Sequence, residues 1–188
     1  MSDPADDALA VRAGLPDAFC WLREELPRDR WTGLHEIAGF WLQMHAGFRN
    51  HQAHMDDLVG RWRADGDLAG LHRQLTPAVQ SFLQHLDGHH RVESGHYFPM
   101  MRTVEPMIGA GLDLLDRDHD AIHQHLEDLF QAGLAFHRAV SAGAPHATDA
   151  ANRLADALAA ARPPLTRHLD DEEDIVIPLI ALRGDPLA

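Results

Sequence analysis

The sequence has almost no cysteine or tyrosine: among its 188 residues, Cys20 and Tyr97 are the single examples of each. One cysteine excludes a disulfide within the chain and a metal cluster held by several thiolates. This composition is typical of a reducing compartment, so we expect a cytoplasmic protein. No unbroken apolar run reaches the roughly 18 residues that a membrane helix needs, and the acidic start differs from a secretory signal. We therefore expect no membrane partner.

Basic side chains are also scarce, with 16 lysines and arginines against 29 acidic residues and a formal net charge of −13. A negative field of this size repels phosphate backbones, so we expect no nucleic acid partner. It favours cations instead. Histidine is plentiful, with 15 residues, and imidazole is the commonest protein ligand of transition metals. The number alone decides nothing, because histidine is also a common surface residue, so the spacing has to be examined.

Strand-like alternation of polar and apolar residues is missing, and apolar residues recur instead at helical spacing. We predict an all-α, up-and-down four-helix bundle over residues 32–188, preceded by an N-terminal arm (1–31) with a short helix near Pro16–Leu26. The long helices are expected at about 32–64, from Thr76-Pro77 to near Pro99, at about 111–140, and at about 148–183. Pro163-Pro164 predicts a break in the last helix, with a restart at Pro164.

Each predicted helix carries metal-binding side chains near the middle of its core face. These residues are His45 on the first helix, His89 and Glu93 on the second, His119 and His123 on the third, and His168 and Glu172 on the fourth. A spacing of four residues places the members of each pair on one face, one turn apart. Buried carboxylates and imidazoles without partners would cost many kcal/mol, and two metal ions would remove that cost. Nitrogen and oxygen donors suit iron, manganese or zinc.

The pattern occurs twice. The segment HHRVESGHYFPMM (89–101) aligns with HLDDEEDIVIPLI (168–180) at an offset of 79 residues, so that histidine, glutamate and proline coincide. His45 and His119 lie 44 and 49 residues before their respective His-x-x-x-Glu motifs. Two such hairpins would bring all of these side chains to one level of a bundle core.

This doubled His … His-x-x-x-Glu pattern, with Phe98-Pro99 and Ile177-Pro178 beyond the glutamates, resembles the hemerythrin-like (HHE cation-binding) family over about residues 38–183. The resemblance implies two non-haem iron ions, which manganese or zinc could replace. It implies the ligands His45, His89, Glu93, His119, His123 and His168, together with a fourth-helix carboxylate that is either Glu172 or Glu173. His119 and His123 form the pair expected of five-histidine members that bind oxygen.

Three classes of function follow from the resemblance. The first is reversible binding of dioxygen or nitric oxide for sensing, storage or delivery, which five histidines with two carboxylates favour. The second is a di-iron enzyme that removes peroxide or nitric oxide. The third is iron homeostasis, in which folding reports the iron supply. No catalytic residue and no protein partner can be assigned from the sequence.

The remaining polar residues have simpler interpretations. Seven histidines are predicted to be solvent-exposed: His51, His54, His72, His90, His125, His137 and His146. His85 and His96 are candidates for contacts with the metal ligands rather than for ligands. The acidic run 170–174 is predicted to be a solvated helix face with one member turned inward.

Overall fold

The computed structural model describes residues 14–184, and these residues form helices and connecting turns without a β-strand. The prediction of an all-α bundle is confirmed. The α-helices are α1 (Trp21–Glu25), α2 (Glu36–Asp65), α3 (Leu68–Val92), α4 (Phe98–Val104), α5 (Gly109–Ser141) and α6 (Ala147–Arg183). A π-helical turn, Glu93–Tyr97, connects α3 to α4. No helix within residues 14–184 is both long enough and apolar enough to cross a membrane.

The beginning of α3 differs from the prediction. The helix begins at Leu68 and contains Pro77 in its interior, so a start at Thr76-Pro77 is wrong. The cap is supplied by Asp67, whose Oδ1 accepts the backbone N–H of Gly70 at 2.8 Å. An aspartate before the first helical residue satisfies an N–H group that would otherwise have no partner. The turn before it holds Gly66 at φ +74°, a conformation that glycine adopts without strain.

Helix α6 has the predicted extent but lacks the predicted break. It runs unbroken through Pro163-Pro164, so the predicted restart at Pro164 is wrong. Two prolines remove only two backbone N–H groups, and the turns on either side keep their own hydrogen bonds. The flanking side chains of Ala161 and Leu165 are buried, which favours the helical path on each side of the prolines.

The chain divides into two compact units. The first comprises residues 1–46, 89–121 and 164–188, of which 14–46, 89–121 and 164–184 are described here. Residues 1–13 of the predicted arm lie outside the described part. From the rest of the arm, Leu15, Cys20 and Leu22 lie in the same buried apolar cluster as Trp41 and Ile177. This part of the arm therefore belongs to the core of the first unit.

The second unit comprises residues 47–88 and 122–163. Its buried side chains are mainly aromatic and aliphatic, with Phe48 against Phe82 edge to face at 6.4 Å between ring centroids. Met55, Leu129 and Leu154 are also buried. This unit has the apolar interior expected of a helical bundle, whereas the first unit combines an apolar core with buried polar side chains.

Candidate metal centre

Seven side chains of the types that can bind a metal ion form two groups in the first unit. The first ligand group consists of His45, His89, Glu93 and Glu172; the second ligand group consists of His90, Glu93, His119 and His168. Within each group, one ligand atom from every residue lies within 4.8 Å of the others. Glu93, the first residue of the π-helical turn, belongs to both groups. Helices α2, α3, α5 and α6 and the turn after α3 therefore all contribute to one cluster.

The cluster is almost completely removed from solvent. The exposed fraction is 0% for His45, His168 and Glu172, and 1% for Glu93 and His90. A buried ionised group is costly unless it is paired or binds a metal ion. The burial of two carboxylates among five imidazoles is therefore the main physical feature of this region.

The imidazole nitrogens and carboxylate oxygens inside the cluster face one another, as the ligand atoms of a metal ion do. Nε2 of His89 is 2.8 Å from Oε1 of Glu93, and Nε2 of His119 is 3.5 Å from Oε2 of the same carboxylate. Nε2 of His45 is 3.6 Å from Oε1 of Glu172. Among the described residues, both oxygens of Glu93 and Nε2 of His45 make no hydrogen bond. Lone pairs that face one another in a buried space repel, and a shared metal ion relieves that repulsion, so the residues fit a metal centre.

Burial sets the protonation of the imidazoles on α3. Desolvation lowers the pKa of His89 to about 4 and lowers that of His90 well below the usual value. Both rings are therefore neutral at pH 7, and a neutral imidazole has the lone pair that a metal ion needs. For Glu93, burial and the nearby charge of Glu172 raise the pKa well above its usual value. This shift favours the protonated form of Glu93 in the metal-free protein more than in an ordinary glutamate.

For the two cluster residues on α6, the effect of charged neighbours on the pKa outweighs the effect of burial. Burial of Glu172 would raise its pKa, but the imidazoles of His45 and His168 outweigh this effect and lower it well below the usual value. Burial of His168 acts to lower its pKa, but the carboxylates of Asp118 and Glu172 raise it to about 9. Without metal, the cluster therefore contains one ion pair, between protonated His168 and ionised Glu172.

Side chains around the cluster fix the orientation of its members. Trp41 donates its indole N–H to Oε1 of Glu172 at 2.7 Å. Nδ1 of His45 lies 3.1 Å from Oε1 of Glu173. An ionised carboxylate only accepts hydrogen bonds, so Nδ1 of His45 donates in this contact, and a neutral ring then has its lone pair on Nε2. That nitrogen is the one facing Glu172, as a ligand requires.

A similar contact orients His119. The hydroxyl of Ser94 donates to Oδ1 of Asp116 at 2.6 Å, and the Ser94 oxygen lies 2.9 Å from Nδ1 of His119. Because the hydroxyl hydrogen is used on Asp116, the oxygen accepts from His119, which leaves the lone pair on Nε2. Ser94 is exposed, and the Asp116 side chain is 40% exposed. This contact therefore links the buried cluster to the solvent.

The acidic run of α6 is buried, so its predicted solvated face is wrong. Asp171, Glu173 and Asp174 are at most 6% exposed. The arm supplies the compensating cations. Arg28 donates from Nε to Oδ1 of Asp174 at 2.6 Å and from one terminal nitrogen to Oε2 of Glu173 at 3.0 Å. Arg23 donates to Oδ2 of Asp174 at 2.9 Å. Opposite charge explains why these carboxylates can lie beneath the arm.

Of the residues predicted as ligands, the structure brings six together: His45, His89, Glu93, His119, His168 and Glu172. Glu173 lies outside both ligand groups and contacts the back of the His45 ring. His123 also lies outside them. Its side chain is 43% exposed, and its Nε2 is 3.6 Å from Oδ1 of Asp87. A step of four residues moves a side chain about 6 Å along the helix and rotates it by about 40°. The prediction that His119 and His123 act as a pair therefore gains no support from the geometry.

His90 was predicted to be exposed, and this is wrong because it is buried within the second ligand group. His90 lies four residues after the buried Leu86, but the spacing of apolar residues on α3 indicates only one core face, and His89 already lies on it. Adjacent residues on a helix point about 100° apart, so both members of a histidine doublet can be buried only if the helix has neighbours on two sides. The candidates His85 and His96 are exposed, and neither belongs to the two ligand groups.

A comparison with known protein families agrees with this geometry. The family described as hemerythrin HHE cation binding domain matches residues 36–180. No curated protein and no solved structure matches the chain significantly. The family match covers α2, α3 and α5, α6 as far as Ile180, and every residue of the two ligand groups. The chain therefore belongs to the hemerythrin HHE cation-binding family.

Proposed function

We propose that the chain holds two iron ions in the first unit and uses them to bind dioxygen or nitric oxide for sensing, storage or delivery. The observation that carries this proposal is the position of Glu93, which is buried and belongs to both ligand groups. A carboxylate has two oxygens, one for each of two neighbouring ions. When bound, a pair of redox-active ions supplies positions at which a diatomic ligand can coordinate.

The assignment of ligands follows the two groups. His45, His89 and Glu172 would hold one ion, His119 and His168 would hold the other, and Glu93 would bridge them. Iron is favoured over calcium or magnesium because imidazole donors outnumber carboxylates, although manganese or zinc could occupy the same donors.

Aromatic side chains surround this set and favour a small gas as the ligand. Phe98 lies parallel to His119 at 5.6 Å between ring centroids. Trp41 lies 6.4 Å from His45 and from His89, and its other neighbour Tyr97 is 4.9 Å away. Apolar surfaces around the ligands limit the access of water and of larger molecules.

The first prediction concerns stoichiometry. Anaerobic titration with ferrous iron should give two ions per chain by elemental analysis, because the two groups share only one residue. Admission of dioxygen or nitric oxide should then change the optical spectrum, and removal of the gas should restore it. Zero or one ion per chain would contradict the two-ion centre. Two ions without a spectral response would contradict the diatomic ligand alone.

The second prediction concerns Trp41. We expect Trp41→Phe to weaken metal binding by about 10-fold or more, because loss of a group that orients a ligand typically costs 10–100-fold in affinity. The matched control is Trp31→Phe, since Trp31 donates its indole N–H to a backbone carbonyl, that of Leu26. Competition with a chelator measures both affinities. Equal affinities in the two variants would show that the contact with Glu172 does not matter for the metal.

A second function, the breakdown of peroxide or nitric oxide, is favoured by one observation. Ser94 and the half-exposed Asp116 connect Nδ1 of His119 to the solvent through hydrogen bonds. Reduction of peroxide to water takes up protons, and such a connection can deliver them. Steady consumption of hydrogen peroxide by the iron-loaded protein, together with a reductant, would favour this function. Spectra that cycle reversibly with gas, without consumption, favour the binding function.

A further inference from the structure

His90 has no place in the doubled His-x-x-x-Glu pattern, yet it lies deep in the second ligand group. It is 1% exposed, and its ring is parallel to that of His119, with 4.1 Å between centroids and 14° between planes. The ring of His168 meets it nearly at right angles at 5.4 Å. One of its nitrogens lies within 4.8 Å of the ligand atoms of Glu93, His119 and His168.

The two histidines of the doublet face different partners. The ring of His89 is perpendicular to that of His45 at 5.3 Å, whereas His90 faces His119 and His168. This difference follows from the rotation of about 100° between adjacent residues of a helix. Helix α3 thus directs one imidazole into each ligand group, and Glu93, one turn further on, lies between them.

We propose that His90 is a metal ligand and supplies the third imidazole of the second ligand group. It would take the role that the family resemblance assigns to His123. This inference rests on the proposed two-ion centre and specifies its donors further. The total remains five histidines and two carboxylates, but α3 supplies the fifth histidine rather than α5. The second ligand group then has three imidazoles and one carboxylate, and the first has two of each.

The burial and position of the two candidates support this choice. His90 is 1% exposed, and one of its nitrogens lies within 4.8 Å of the ligand atoms of the second ligand group. His123 is 43% exposed and lies beside the carboxylate of Asp87. A ligand must be desolvated and must lie close to the other ligands of its ion. His90 meets both conditions, whereas His123 lies outside both groups.

The test compares His90→Leu with His123→Leu, which make the same chemical change at the two candidate positions. After anaerobic loading with ferrous iron, His123→Leu should keep two ions per chain with affinities within about 2-fold of the unchanged protein. His90→Leu should lose one ion or bind it at least 10-fold more weakly, the lower limit for the loss of a group that supports a metal site. Two ions held with unchanged affinity by His90→Leu, or one ion lost by His123→Leu, would overturn the inference.

A second measurement does not depend on the folding of a variant. In crystals of the unchanged protein loaded with zinc, anomalous scattering locates the ions, and a nitrogen of His90 should lie about 2.1 Å from one of them. A nitrogen of His90 more than about 3 Å from every ion would overturn the inference. If the unchanged protein binds no ion, the proposed function fails. If it binds two ions and His90 contacts neither, only the role of His90 fails.

Discussion

Replacement of Glu93 by glutamine should abolish the binding of both metal ions, because Glu93 is the single residue shared by the two ligand groups. An amide carries no negative charge and has one acceptor oxygen, so it cannot bridge two cations as a carboxylate does. Loss of a ligand should exceed the 10–100-fold loss seen for groups that only support a ligand. We therefore expect the affinity for each ion to fall by more than about 100-fold.

Metal should raise the melting temperature of the unchanged protein but not that of Glu93→Gln. Burial and the nearby charge of Glu172 raise the pKa of Glu93, which shifts this carboxyl group in the metal-free protein toward its uncharged form, and the amide resembles that form. The metal-free melting temperature should change little. Metal present at 100 times its dissociation constant stabilises the native state by about 2.7 kcal/mol, and this gain should disappear in the variant.

The matched control is Glu127→Gln, because Glu127 is exposed on α5 and hydrogen-bonds only to Gln131 in the contacts described. It should keep both ions and the full increase in melting temperature on metal addition. Calorimetric titration and thermal unfolding with and without metal measure these effects. Retention of two tightly bound ions by Glu93→Gln would rule out the bridging role.

Replacement of Arg28 by methionine should destabilise the fold. Its guanidinium group contacts the buried carboxylates of Glu173 and Asp174 and the backbone carbonyl of Asp170. Removing one partner of a fully buried ion pair costs about 3–5 kcal/mol. Because the Arg28 side chain is itself 42% exposed, water screens part of the interaction. We expect a loss of about 2 kcal/mol in the free energy of unfolding.

Arg30→Met is the control for this change, since Arg30 is exposed and donates to the backbone carbonyl of Glu25. Its free energy of unfolding should stay within about 0.5 kcal/mol of the unchanged protein. Urea unfolding measures both variants. Addition of Asp174→Asn to Arg28→Met should recover part of the loss by removing a buried charge. Equal stability of Arg28→Met and Arg30→Met would mean that the ion pairs of Arg28 contribute nothing to the stability of the fold.

The helical spacing in the sequence was sufficient to predict most of the cluster. Helical periodicity assigns His45, Glu93, His119 and His168 to core faces, and the cost of burying such groups predicts that they meet. The structure brings these residues together. Their role as ligands remains a prediction, because proximity and burial by themselves do not demonstrate metal binding.

Other features of the site depend on contacts between residues that are distant in sequence, and the helical spacing of apolar residues does not indicate these contacts. His90 is buried because α3 has polar partners on two sides, whereas the pattern of a single helix indicates one face. Glu173 was a candidate ligand because the family resemblance allows either Glu172 or Glu173, and its contact with Arg28 joins residues 145 positions apart. Such a contact depends on the path of the arm, which leaves no local pattern in the sequence. The π-helical turn at Glu93 likewise has no signature in the spacing of apolar residues.

The ion pairs between the arm and α6 also have a consequence for the order of folding. They join the beginning of the described chain to its end. The last two members of the ligand groups in sequence order, His168 and Glu172, lie in the same segment of α6. Contacts between distant residues form late, because the intervening chain must first be brought together. The second unit ends at Pro163, so all of its residues emerge from the ribosome before those two ligands do. The proposed metal centre can therefore be complete only after synthesis has passed Glu172, and the loading of metal would belong to the final stage of the protein's maturation.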